Sequence, residues 1–141
     1  MVRLPAAALA LLLTAAAALA ADPAGLWQTQ DGDSRIRIAP CGAALCGTLA
    51  WLREPADAQG RPKLDAANGD PALRGRPLAG IPLISGMVRD GAGWRGKVYN
   101  PEDGKTYDAT LALKDASTLL LQGCLAVVLC QTETLTRFEG R

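Results

Sequence analysis

The sequence predicts an all-β fold: an eight-stranded antiparallel up-and-down barrel with one long loop, a two-sheet sandwich being the alternative. Three observations carry that expectation. No segment beyond residue 20 shows an apolar stripe of helical 3.6-residue period. Short runs of alternating apolar and polar residues recur instead, punctuated by Gly, Pro and Asp. No stretch between them reads as a crossover helix, so successive strands pair as antiparallel neighbours. The candidate strands are 25–30, 34–40, 46–52, 81–89, 93–99, 105–113, 117–124 and 129–137.

Residues 1–20 stand apart from this pattern. The chain opens MVRLPAAALALLLTAAAALAAD, with Arg3 ahead of a Leu/Ala run and Ala18 and Ala20 in the small-x-small arrangement of a signal-peptidase site. The run is too short and too rich in Ala for a membrane-spanning helix. A signal peptide cleaved after Ala20 is expected, leaving residues 21–141 as a single domain that is not membrane-embedded and is periplasmic or secreted.

Loss of Arg3 would leave basic and acidic residues equal in number. That balance argues against nucleic acid as a partner. The sequence has no His, which removes Ser-His-Asp and Cys-His catalysis and the commonest zinc ligand. No cofactor and no metal are expected. Four cysteines, Cys41, Cys46, Cys124 and Cys130, have spacings unlike zinc knuckles, and in an exported chain an even count reads as two disulfides.

Two hairpins can be registered by asking which alignment separates apolar from polar residues. In GKVYNPEDGKTYDATLAL, Pro101-Glu102-Asp103-Gly104 forms a four-residue loop and Asn100 faces Lys105. Trp94, Gly96 and Val98 then share the inner face with Tyr107, Ala109 and Leu111, and Lys97 falls opposite Asp108. The carboxylates of Glu102 and Asp103 are therefore turn residues on a wet tip, not an acid–base pair. In SRIRIAPCGAALCGTLAWL, Cys41 set opposite Cys46 puts Ile36, Ile38 and Pro40 on one face with Gly47, Leu49 and Trp51. A disulfide across that hairpin is expected, and a second between Cys124 and Cys130. The faces around the latter are mixed, since Gln131 and Glu133 share a side with Leu119 and Leu121.

Residues 53–80 form the long loop, rich in Pro, Gly and charge. A connection of that length in a small domain is usually functional. Leu64, Leu73 and Leu78 are expected to fold over one barrel end, with Arg74 and Arg76 beside the mouth where they could grip a carboxylate or phosphate. Asp65, Asn68 and Asp70 offer oxygen ligands but lack the spacing of a calcium loop. Trp51, Trp94 and Tyr107 are the candidates to line a cavity, and Gly86 opposite Gly96 would leave a gap in its wall or ease a barrel bend.

Gly25-Leu26-Trp27 matches the G-x-W that opens lipocalin-like barrels, and Arg137 stands where lipocalins place an arginine over that tryptophan. The resemblance tips the choice from sandwich to closed barrel. The chain also resembles the bacterial family called domain of unknown function 2147. The resembling blocks are GLWQTQDGDSRIRIAPCGAALCGTLAWL, the D-x-x-N-x-D-P-x-L-R-x-R-P-L-x-G run from Asp65 to Gly80, YNPEDGKTYDATLAL, and GC…LCQTETLTR. Leu135 departs from the pattern, which has an aromatic there. The resemblance implies an exported lipocalin-like barrel and no established reaction. The function expected is non-enzymatic binding of a small apolar or anionic ligand. The alternative is a cell-envelope interaction module with a filled barrel and the 53–80 loop as its contact surface.

Overall fold

A computed structural model describes residue 2, residues 21–126 and residues 128–140. The expected signal peptide and its cleavage point lie outside the described residues, residue 2 apart. The strands are β1 (Gly25–Gln28), β2 (Ser34–Cys41), β3 (Ala44–Leu52), β4 (Pro82–Asp90), β5 (Gly93–Asn100), β6 (Lys105–Asp115), β7 (Thr118–Ala126) and β8 (Leu129–Arg137). They pair in sequence order into a closed antiparallel barrel, sealed by Trp27 against Arg137 and Gln28 against Thr136. Closure removes the open edges that a sandwich would keep. Among the described residues no helix is long and apolar enough to cross a membrane.

Strands in this order alternate direction. The turns after β1, β3, β5 and β7 therefore lie at one end, and those after β2, β4 and β6 lie at the other with both ends of the barrel sequence. At that second end Trp27 is fully buried and the Arg137 guanidinium lies 4.3 Å from its ring centroid. Arg137 also donates to the carbonyl oxygens of Asp22 (2.7 Å), Ala24 (2.9 Å) and Ala116 (2.8 Å). The lipocalin-type closure read from Gly25-Leu26-Trp27 is therefore present in three dimensions.

Between the ends the interior is filled. Ile38, Ile84, Met87, Leu111, Leu119 and Leu135, from five strands, are each all but inaccessible. Burying each such side chain contributes on the order of 1.5–3 kcal/mol, so this layer dominates the stability of the barrel. Leu135, despite its departure from the family pattern, pairs with Leu119 and completes the layer.

The β5–β6 hairpin forms in the register that its alternation dictates, from Trp94↔Leu111 to Asn100↔Lys105. Lys97 and Asp108 are ion-paired. The tip is organised by its own polar groups: Asn100 Oδ1 accepts from the Glu102 amide at 3.0 Å and Asp103 Oδ1 from the Lys105 amide at 2.9 Å. Gly104 takes φ +72°, the left-handed conformation expected of it.

The β2–β3 hairpin departs from expectation by two residues. Cys41 faces Ala44, and Cys46 faces Ala39. Gly42, at φ +65°, begins a two-residue turn of the II′ kind, which is tighter than the four-residue loop implied by opposing cysteines. The Cys41–Cys46 disulfide still forms, diagonally, across a Cα separation of 5.8 Å. Cys124 and Cys130 do face each other and are also bonded.

A bulge between Arg35 and Ile36 turns Trp51 out of the expected inner row and sets it opposite Arg35. The β4–β5 pairing keeps the expected register through Ser85↔Lys97, and a second irregularity follows between Ser85 and Val88. Gly86 adopts φ +61°, and its backbone and the Ser85 carbonyl occupy the place a Gly96 side chain would need. The two glycines thus leave no gap. They allow β4 to bend against β5.

Candidate binding site on the long segment

Residues 53–80 are held as an ordered strap by short local devices. The Asp57 amide donates to the Arg61 carbonyl at 2.7 Å, and Asp57 Oδ1 accepts from the amides of Gln59 (2.9 Å) and Arg61 (3.0 Å). That is an Asx-type turn, with Gly60 at φ +76° closing it. Isolated bridges then pair Ala56 with Pro62 and Leu64 with Pro77. Each proline leaves its neighbour to donate: Lys63 to the Pro55 carbonyl at 2.9 Å and Leu78 to the Lys63 carbonyl at 2.9 Å. Further on, Asp70 caps a single 3-10 turn, Pro71–Leu73, accepting from the Ala72 amide at 3.0 Å.

The strap is tied to the barrel through Asp65, which is fully buried. Its Oδ1 accepts from the Tyr99 hydroxyl at 2.5 Å. Its Oδ2 accepts from Asn68 Nδ2 at 2.8 Å and from Arg76 Nε and Nη2 at 3.0 and 2.9 Å. Burial pushes the Asp65 carboxyl up, but the hydrogen bonds from Tyr99, Asn68 and Arg76 outweigh it and hold the group below its ordinary value. Burial, then the Asp65 carboxylate, push the Tyr99 phenol up. Ala67 crosses directly over Gly104, whose missing side chain makes room for the Ala67 carbonyl. Gly104 therefore serves the hairpin turn and the seat of the strap together.

This network commits Arg76 and engages one nitrogen of Arg74. Arg76 is the fixed partner of Asp65, and Arg74 Nε donates to the Asn68 carbonyl at 2.8 Å. Arg76 thus serves the strap's own fold, since a buried carboxylate must be matched by a nearby donor, while Arg74 stays exposed. Asp65 and Asn68 are likewise spent on this network, and among the described residues no acidic or cysteine cluster suited to a metal is present. Leu78 packs on the core as expected, while Leu64 and Leu73 stay exposed at 45% and 36%.

The aromatic candidates are scattered. The Arg35 guanidinium lies between the Trp51 and Phe138 rings, 3.8 and 3.6 Å from their centroids, on the face opposite Ile36. Trp94 is half-buried against the core with Arg89 4.6 Å over it. Tyr107 follows the inner row but its hydroxyl donates to Asp103 on the hairpin tip. The three do not line a common cavity.

Concavity is found on the strap instead. A cleft of about 540 Å³ is lined by Asp57, Arg61, Pro62, Lys63, Leu64 and Leu78. A smaller one of about 210 Å³ lies among Pro55, Ala56, Gly60, Pro62, Lys63, Pro77 and Ala79. Pro62 and Lys63 belong to both. Small-molecule sites combine apolar walls with a few placed polar groups at volumes of roughly 300–1,000 Å³; the larger cleft has that volume but is a trough open to solvent, not an enclosed cavity. Sequence reasoning located the segment but missed Tyr99 and the Arg61/Lys63 pair. An Asp-x-Gln-Gly-Arg turn ahead of Lys63 was the available signal for the latter.

A family model described as "Uncharacterized protein conserved in bacteria (DUF2147)" matches residues 25–137. The fold is similar to that of a protein from the human pathogen Helicobacter pylori that belongs to the lipocalin family, with a TM-score of 0.73 and 23% identity over 85% of each chain. Comparison with curated proteins gave no match.

Proposed function

The chain belongs to the family of uncharacterized proteins conserved in bacteria, DUF2147, and from that premise we propose that it is an exported, non-enzymatic barrel protein that binds a small molecule on its long segment. The observation that carries this reading is the contrast between a filled barrel layer and a cleft of about 540 Å³ on an ordered strap. Ordering so many residues costs about 1–2 kcal/mol each, which a shorter connection would avoid. Export is supported by the 1–20 segment and by two disulfides, which persist in oxidising compartments. The non-enzymatic reading is supported by the absence of His and by the commitment of Asp65, Asp103 and Asp108 to fixed donors. Native mass spectrometry of protein purified from the periplasm tests the reading: a bound small molecule is the expected result. The filled interior also favours the second reading, an envelope interaction module, which a co-purified protein in place of the small molecule would establish.

A further inference from the structure

We propose that Lys63 anchors the anionic head, a carboxylate or phosphate, of a single-chain amphiphile whose apolar tail lies along the strap clefts; the inference rests on the small-molecule reading above. Lys63 occupies the wall common to both clefts, and its backbone is pinned on both sides, its amide to Pro55 and its carbonyl to Leu78. Its ammonium is only loosely paired. The nearest carboxylate, Glu54 Oε2, is 3.8 Å away, beyond hydrogen-bond distance, and belongs to a side chain that is 78% exposed. By contrast Arg76, Arg95 and Arg61 each have a carboxylate oxygen within 3.2 Å. The acid inside the larger cleft, Asp57, is turned to other donors: its Oδ1 holds the turn and its Oδ2 pairs with Arg61 Nε at 3.2 Å.

Lys63 and Arg61 outnumber Asp57 on the wall of the larger cleft, which favours an anion over a cation there. The remaining walls are aliphatic: Pro62, Leu64 and Leu78 on one side, Pro55, Ala56, Pro77 and Ala79 on the other. Leu64 is nearly half exposed and offers a tail the apolar contact that water cannot. A shallow trough with one charged wall suits a molecule with one charged end.

The test is a titration of the disulfide-bonded mature protein with decanoate, decanol and decyltrimethylammonium, each kept below micelle-forming concentration, followed by amide chemical shifts. Decanoate is expected to bind at least tenfold more tightly than the cationic probe, with shifts in residues 55–64 and 77–79. Lys63→Gln should weaken decanoate about tenfold and leave decanol unchanged, while Lys63→Arg should restore decanoate. Equal binding of anionic and cationic probes, or shifts mapping to the barrel interior, would overturn the assignment while leaving a ligand-binding protein. Capture by phosphatidylglycerol vesicles without binding of monomeric decanoate would overturn it in favour of a membrane surface. If none of the three probes binds, the small-molecule reading falls, and the Lys63 site with it.

Discussion

At the scale of single residues, Asp65 and Arg137 show how one charged side chain can fix a segment in place. Each is satisfied from several directions, so removal leaves more than one partner stranded. Asp65→Asn keeps the shape but loses the charge facing Arg76, and should cost about 1–3 kcal/mol. Amide hydrogen exchange should localise that cost to residues 65–76, where the Asp65 amide is held by the Arg76 carbonyl at 2.9 Å. Because the folded carboxyl sits below the ordinary 3.8, the unfolded chain takes up the proton first as pH falls. The Asp65 contribution is thus whole above that ordinary value and is lost as pH drops through the lowered one. Urea stability measured across the acid range should show this limb in the native protein and lack it in Asp65→Asn. Arg137→Ala removes the contact with Trp27 and the donors to Asp22, Ala24 and Ala116, and should lower stability by about 2–4 kcal/mol. Arg137→Lys should recover little of it, because an ammonium cannot reproduce the planar fork.

Among the elements, legibility followed the strength of alternation. The β5–β6 hairpin was readable to the residue because Trp94, Val98, Ala109 and Leu111 leave one apolar face, and a one-residue slip would expose all of it. β2–β3 was readable as to face but not register: a shift of two keeps every face, so only the conformation of Gly42 decides. The turn of Trp51 out of the inner row arises from a bulge, which no alternation announces. The Asp65–Tyr99 contact joins residues 34 apart in sequence, and nothing local encodes it. The same contrast predicts how the two disulfides differ. The Cys41–Cys46 bridge spans a turn with its own glycine, so Cys41→Ala with Cys46→Ala should cost about 2 kcal/mol and leave the hairpin register intact. The β7–β8 tip, Leu125-Ala126-Val127-Val128-Leu129, has no Gly, Pro, Asn or Asp, and Leu125 and Leu129 are 66% and 62% exposed. Replacing Cys124 and Cys130 with Ala should therefore raise amide exchange in the ends of β7 and β8 well above the change seen at β2–β3 for the other pair.

For the whole molecule, barrel closure and the proposed export would meet at residues 22–24. Trp27 Nε1 donates to the Pro23 carbonyl at 2.8 Å, and Arg137 donates to the carbonyls on either side, Asp22 and Ala24. The short segment ahead of β1 is thus the acceptor set for the plug that seals one barrel end. A signal peptide cut after Ala20 would leave that segment intact, with Ala21 as the only residue preceding it. A cut a few residues later would strip the acceptors, leave the buried Trp27 indole without its partner at a cost of about 1–3 kcal/mol, and leave the half-buried Arg137 guanidinium with the Ala116 carbonyl alone. Placement of the proposed cleavage site would therefore be a stability constraint as well as a targeting one. N-terminal sequencing of exported protein should begin at Ala21. A chain engineered to begin at Gly25 should unfold at distinctly lower urea concentration with an unchanged slope, since the surface exposed on unfolding hardly differs. Equal midpoints for the two chains would show that residues 21–24 are passive and that the Arg137 fork is satisfied by solvent.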